Sequence, residues 1–315
     1  MRTIIASIFL LYSLISIGYA QNHDKVVEVA YAMTHTPTGR AFKETRFAPE
    51  TQAYFEKDLE IAKKTMDIAP EREDSYVWLG RRYGYLGKLP EAIEVFSNGL
   101  KLFPESYRLY RYRGRHLARN YQYEQAIKDY RKAAELIEDE PDSYEPNGII
   151  NGLAITLSTF KQNIPYYLGQ TSMATGDYET VYSAMDEAIN VPVLFAYMEE
   201  LIPVTYWKYM ALRKMGKHQL AETELAKVPD EYELIENDTY HAAVNYLKGN
   251  YERDDFLKSA DSLGKYAVAM KDHFEGRNES AIKIWNELTD AGPMGFWPAE
   301  AELMLIIEPL PCSNI

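Results

Sequence analysis

Arg108, Arg111, Arg115 and Arg119 follow one another at spacings of 3, 4 and 4. On a helix turning about 100° per residue, such spacings keep side chains within one narrow stripe. Four guanidinium groups on adjacent turns repel one another, by about 0.2–0.5 kcal/mol per neighbouring pair on an exposed helix. The chemistry open to such a row is recognition of anions, because a guanidinium matches a carboxylate, sulfate or phosphate with two parallel hydrogen bonds. Two readings stay open from the residues alone. Nearby carboxylates such as Asp74, Glu138 or Glu140, or solvent, neutralise the row; or the row lines a basic groove for an anionic partner.

No catalytic motif accompanies the stripe. The six histidines, His23, His35, His116, His218, His241 and His273, show no metal-ligand spacing with each other or with the single Cys312, and read as surface or helix-edge residues. G-x-S-x-G, phosphate-loop, H-E-x-x-H and G-x-G-x-x-G patterns do not occur. The adjacent carboxylates Glu199–Glu200 and Asp254–Asp255 diverge by about 100° on a helix and cannot converge on one atom. An enzyme would need a perturbed acid, base or nucleophile in the groove, and the sequence nominates none. A non-catalytic protein with no cofactor and no metal is the expectation.

Charge and the chain ends narrow the setting. A net charge of −13 disfavours nucleic acid and anionic membrane surfaces as partners. Residues 1–20 combine Arg2, an apolar run from Ile4 to Ile17 and the small-residue site Gly18-Tyr19-Ala20, which reads as a signal peptide cleaved after Ala20. A single membrane anchor is the alternative, since the run approaches the length of about 18 residues that would argue for a span. The exported chain is expected in the periplasm or outside the cell. Cys312 cannot form an internal disulfide, so packing holds the fold. With 46% hydrophobic residues and 315 positions, the chain can fill two domains or one elongated array.

The elements that position the arginines repeat. Tyr76 and Tyr110, Gly80 and Gly114, Ala92 and Ala126, Phe96 and Tyr130, and Gly99 and Ala133 are each 34 residues apart. Small residues suit the close approach of two helices, aromatic and aliphatic ones fill the space between hairpins, Gly87 suits a left-handed turn, and Pro104 stops a helix. One hairpin cannot bury both faces, so several must stack. The period and the pattern Tyr76, Leu79, Gly80, Tyr83, Gly87, Leu89, Ala92, Phe96, Gly99 and Pro104 resemble the tetratricopeptide repeat. A second unit starts at Tyr107, with Arg113 where leucine is usual, and a third is centred on Leu168, Gly169, Gly176 and Tyr178. Degenerate units follow around Gly216, Gly249 and Gly276.

The resemblance implies an all-α, right-handed superhelical solenoid of antiparallel helix pairs. About five to six units are expected, with a preceding helix and a C-terminal capping helix. The expected organisation is a signal peptide over 1–20, an irregular segment over 21–50, the preceding helix and units 1–2 over 51–140, and an inserted loop over 141–161. Degenerate units with the capping helix follow over 162–308, and a tail over 309–315. The insertion is longer than an ordinary helix connection and could fold over the groove. Carried over residue by residue, the family's concave positions fall on Asp74, Val77, Arg81, Gly84 and Tyr85, then on Arg108, Arg111, Arg115, Ala118 and Arg119, then on Asn163, Tyr166, Gln170, Met173 and Ala174. Arg82, one residue beyond Arg81, is turned away and is expected to cover the outer surface or form a salt bridge. The carboxylate clamp of some family members is absent, since its places hold Val77 and Arg81, Tyr112, and Asn163 and Tyr167. The function implied is a scaffold binding a protein or peptide partner, with an acidic segment held by Arg81, Arg108, Arg111, Arg115, Arg119, Asn163, Tyr166 and Gln170. A binder of acidic or sulfated glycan is the alternative.

Overall fold

Apolar side chains at helical spacing produce fourteen α-helices and one short 3-10 turn among the described residues, with no sheet beyond a single bridge between Tyr144 and Thr159. The computed structural model describes residues 36, 38–40, 47–149, 151–192, 197–290 and 296–307. The expected signal peptide, most of the segment over 21–50 and the tail with Cys312 lie outside the described residues.

The leading helix α1 (Pro49–Ile68) is followed by six hairpins. They are α2 (Glu73–Tyr85) with α3 (Leu89–Leu102), α4 (Tyr107–Arg119) with α5 (Tyr123–Ile137), α6 (Phe160–Ser172) with α7 (Tyr178–Asn190), α8 (Tyr197–Lys214) with α9 (His218–Leu225), α10 (Asp238–Lys248) with α11 (Arg253–Ser259), and α12 (Ser262–Phe274) with α13 (Asn278–Asp290). The helix α14 (Trp297–Ile307) closes the array. Successive helices pack on one another along the chain, which is the all-helical solenoid of repeated pairs that the sequence implies.

The hairpin turns share one backbone device. Gly87, Gly176, Gly216, Gly249 and Gly276 adopt φ between +72° and +90° in five of them. In the hairpin of α4 and α5 the corresponding residue is Tyr121, at φ +62°. A bulky residue there costs roughly 1–3 kcal/mol. The surroundings hold it: the buried Tyr121 ring lies against Tyr123, and its hydroxyl donates to Glu300 Oε2 at 2.7 Å. Within the hairpins contact is closest at Gly80, where an added Cβ would come within 2.4 Å of the Phe96 ring.

The last helix is the expected C-terminal cap, but most of it is buried. Ala299, Glu300, Ala301 and Glu302 of α14 are all buried. One side of α14 packs on α13, and Trp297 and Ala301 pack against Tyr121, Tyr123 and Ala174 at the turns of the second and third hairpins. Its two carboxylates are buried because each has partners: Glu300 binds Arg40 and the Tyr121 and Thr38 hydroxyls, and Glu302 binds Lys214 at 2.6 Å and the Tyr266 hydroxyl at 3.1 Å. The array therefore curls until its end meets its own middle.

Candidate functional site

The arginine row lies on α4 as its spacing requires, but its members meet different environments. Arg108 pairs with Asp74 at 2.7 Å and approaches Glu73 at 3.7 Å, both from the preceding hairpin. Arg111 is 2% exposed, and its Nε lies 2.8 Å from Glu145 Oε2. Burial alone would push the Arg111 pKa down, yet Glu145 and the surrounding phenols raise it, so the charge is kept. The Arg111 Nη1 is buried without a hydrogen-bond acceptor among the described residues. Arg115 lies over the Tyr167 ring, 4.5 Å from its centroid, with no carboxylate within ion-pair distance among the described residues. Arg119 donates to the Gly84 carbonyl at 3.2 Å, and its pKa falls to about 10 because it is buried and faces Arg115.

Arg81, on α2, is buried and satisfied within the protein. Its guanidinium lies 4.8 Å from the Trp78 ring and 4.8 Å from the Tyr112 ring, and donates to the Pro146 carbonyl at 2.8 Å. Arg82 forms the salt bridge expected of it, with Asp58 at 3.3 Å, but it is not turned away from Arg81: its guanidinium lies 5.2 Å from the same Trp78 ring and donates to the Gly148 carbonyl of the same loop at 3.1 Å. Arg113, standing where the repeat usually has leucine, binds both oxygens of Asp129 at 2.7 and 2.8 Å. The local carboxylates anticipated for the row thus include Asp74, while Glu138 and Glu140 play no such part.

Glu145, Pro146 and Gly148 belong to the stretch between α5 and α6, so the inserted loop does lie across the groove. Its base is pinned by backbone bonds from Glu145 to Ser158 and from Phe160 to Ser143, each 3.0 Å. The loop bounds a cleft of about 500 Å³ with Arg81, Arg111, Arg115, Arg119 and Tyr167. A second cleft of about 410 Å³ adjoins it, sharing Arg115, Arg119, Ser158, Asn163, Tyr167 and Glu236. Of the residues singled out from the sequence, Arg115, Arg119, Asn163, Tyr166 and Gln170 meet in this second cleft. Arg81 and Arg111 line the first alone, and Arg108 lines neither.

The second cleft has a wall that sequence reasoning missed. Trp207 of α8 directs its indole N–H at the Tyr166 hydroxyl (3.1 Å) and the Tyr240 hydroxyl (3.2 Å), and the two hydroxyls are 2.9 Å apart. Phe296 and Trp297 close the side nearest α14. Glu200 and Glu236 also line this cleft and carry the sign opposite to that of Arg115 and Arg119. Glu199 is spent on structure, accepting from the backbone amides of Ile235, Glu236 and Asn237 and from the Asn237 side chain. Burial, then Glu199 and Glu236, pushes the Glu200 carboxyl up to about 7.

Two further readings change. His116 is 4% exposed rather than at a helix edge, and its Nδ1 lies 2.7 Å from the Tyr112 carbonyl. Burial and the adjacent Arg119 keep its pKa well below the usual range, so it stays neutral. Glu200, by contrast, is the perturbed acid in the groove that the sequence does not nominate. Only its place beside an acidic neighbour, Glu199, hints at it.

Residues 79–142 match the tetratricopeptide repeat family model. Over that stretch the chain is similar to the tetratricopeptide repeat, a family whose stacked hairpins generally serve as scaffolds for protein–protein interaction. Among solved structures it is similar to YrrB, described as a tetratricopeptide repeat protein with an unusual peptide-binding site, at 14% identity and a TM-score of 0.43 over 78% of this chain and 99% of that one. It is also similar to the Naa15/Naa10 complex bound to HypK-THB, at 14% identity and TM-score 0.37 over 84% of this chain and 38% of that one. The Cut9–Hcn1 hetero-tetramer of the APC/C gives 12% identity and TM-score 0.38 over 82% and 61%. No curated protein matches the chain.

Two outcomes test this geometry. Removing the Glu145 carboxylate leaves Arg111 buried without its counter-ion, so Glu145→Ala should lower stability by about 3–5 kcal/mol in denaturant unfolding. Adding Arg111→Met to that variant should restore most of the loss, and equal destabilisation of the single and double variants would show that the pair is not coupled. Glu200 holds its proton up to about pH 7 in the folded chain and releases it near the ordinary 4.5 when unfolded. The folded state therefore binds more protons across that window, and stability falls as pH rises through it. Glu200→Gln should gain roughly 1–3 kcal/mol over wild type at pH 8 and nothing at pH 4.

Proposed function

We propose that this protein is an exported, non-catalytic scaffold that binds a partner protein through the concave face, taking an acidic segment into the cleft beside Arg115. The observation that carries this reading is the state of Arg115 itself. Arg108 and Arg111 have carboxylates of this chain, whereas Arg115 has an aromatic face and an opening. A half-buried guanidinium without a counter-ion loses hydration and gains little, so an incoming carboxylate is favoured there over bulk water. Arg119 at the same cleft wall adds to the positive field.

A carboxyl poised near neutrality, such as Glu200, is also what acid–base catalysis would use. The 410 Å³ cleft offers no histidine or cysteine, and its Ser158 hydroxyl is engaged by the Asn163 amide at 2.9 Å. No nucleophile paired with a base is present in that lining, which favours binding over turnover. No helix among the described residues is long and apolar enough to cross a membrane. Export rests on the signal-like residues 1–20.

The binding reading is tested with the chain from Gln21 and a panel of fluorescent peptides matched in length, acidic against neutral. Acidic members should bind better at low salt than at high salt. Arg115→Ala should weaken them by about 10–100-fold and flatten the salt dependence, while Arg108→Ala leaves both nearly unchanged. Preference for a sulfated oligosaccharide over every peptide would instead support the glycan alternative, and identical binding by the Arg115 variant would remove the groove reading. For export, the chain recovered from the periplasm or the medium should begin at Gln21 on N-terminal sequencing; recovery starting at Met1 would remove it.

A further inference from the structure

Most ionic groups near the concave face are already matched within the protein, and the unmatched ones converge. Arg115 has no carboxylate within ion-pair distance and no hydrogen-bond acceptor among the described residues. The Gln170 side-chain amide and the Glu200 carboxyl likewise have no partner among the described residues. All three line the same 410 Å³ cleft. A fourth group follows from counting protons at the aromatic floor. Trp207 is only a donor, so it accepts nothing from Tyr166 or Tyr240. One phenol donates to the other, and the second phenol keeps a proton for which the floor has no acceptor.

These groups differ in sign. Arg115, the Gln170 amide N–H groups and the spare phenol proton are donors suited to a carboxylate. Glu200 is an acceptor suited to a cation, and a carboxyl held near neutrality by burial and by Glu199 and Glu236 is stabilised in its charged form when a cation arrives. A purely acidic segment would satisfy the arginine and leave the Glu200 side repulsive. A ligand with both signs satisfies both.

We propose that this cleft is built for a zwitterionic peptide end, with its carboxylate against Arg115 and Gln170 and its cationic group against Glu200. The proposal rests on the reading of the cleft as a peptide site and deepens it, replacing a generally acidic segment by a short stretch carrying both charges. The aromatic floor of Trp207, Tyr166 and Tyr240 supplies the apolar surface beneath such a stretch. A cleft of this size suits two or three residues rather than an extended chain.

The test uses the chain from Gln21 and four forms of trialanine in calorimetric titration at low salt: both ends free, N-acetylated, C-amidated, and blocked at both ends. An acetylated and amidated Ala-Asp-Ala supplies a ligand with negative charge only. The free-ended peptide should bind at least about tenfold more tightly than either singly blocked form. Glu200→Gln should abolish the difference between free and acetylated peptide while preserving that between free acid and amide, and Arg115→Ala should do the reverse. A second set, Ala-Ala-Lys with a free carboxylate and an acetylated N-terminus, tells whether the cation comes from the chain terminus or from a basic side chain; binding by either source supports the proposal. If blocked Ala-Asp-Ala binds as well as free trialanine, and Glu200→Gln changes nothing, the zwitterion proposal falls and the acidic-segment reading stands. If no peptide binds at all, both fall.

Discussion

Positive charge on one face of α4 is the constraint that its surroundings answer. Arg108, Arg111, Arg115 and Arg119 must share a stripe because the helix puts them there, and helix formation alone gives them no counter-charge. The response is graded along the row. Arg108 meets Asp74 of the preceding hairpin, Arg111 meets Glu145 of the inserted loop, Arg115 meets the ring of Tyr167, and Arg119 donates to a backbone carbonyl. Carboxylates serve the first two positions, and softer acceptors serve the next two. Since a buried guanidinium is stabilised most by a paired carboxylate, the positive potential that remains is concentrated at the cleft end of the stripe.

Two elements convert an open concave surface into bounded clefts. The insertion supplies Glu145 and the Pro146 and Gly148 carbonyls to arginines of α2 and α4, so it is held by the very charge it covers. On the other side, α14 reaches the turns of the second and third hairpins through Trp297, Ala301 and Glu300. Tyr121 explains why that turn departs from the glycine used in the other five. Its left-handed backbone is unfavourable, and its hydroxyl is one of the donors that make a buried Glu300 tolerable. Burial would raise the Glu300 pKa, and hydrogen bonds from Thr36, Thr38, Tyr121 and Arg40 more than offset that and hold it low. Local strain is thus exchanged for closure of the array.

What was legible in the sequence depended on periodicity. The 34-residue offset, the small residues at close approaches and the 3-4-4 arginine spacing are short-range signals, and each corresponds to an observed element. Partners separated by long stretches of chain leave no such signal. Glu145 lies in a loop without helical pattern, and its pairing with Arg111 depends on how that loop folds back. Trp207 was hidden for a different reason: α8 is buried from Leu201 to Leu212 on every face, so no apolar stripe distinguishes its groove side. In α14, Glu300 and Glu302 are ion-paired with Arg40 and Lys214, partners that lie far away along the chain. His116 reads as a surface or edge residue for want of any metal-ligand spacing, yet it fills the space left by Gly84, whose added Cβ would stand 1.9 Å from its Nε2.

The uncommitted groups are informative because so much around them is committed. Charges buried without partners cost stability, and the paired arginines, lysines and carboxylates elsewhere in this chain show that it has the means to satisfy them. Asp272, for example, is held by Arg253, Arg277 and Ser280 together, and its pKa is lowered despite the burial that opposes this. Against that background, an arginine and a raised glutamic acid lining one cleft are not a failure of packing at a crowded site. They sit over a rigid floor of Trp207, Tyr166 and Tyr240 whose hydrogen bonds fix the rings without consuming every polar proton. Polar groups held in place but unsatisfied have little further entropy to lose when a complementary group approaches them.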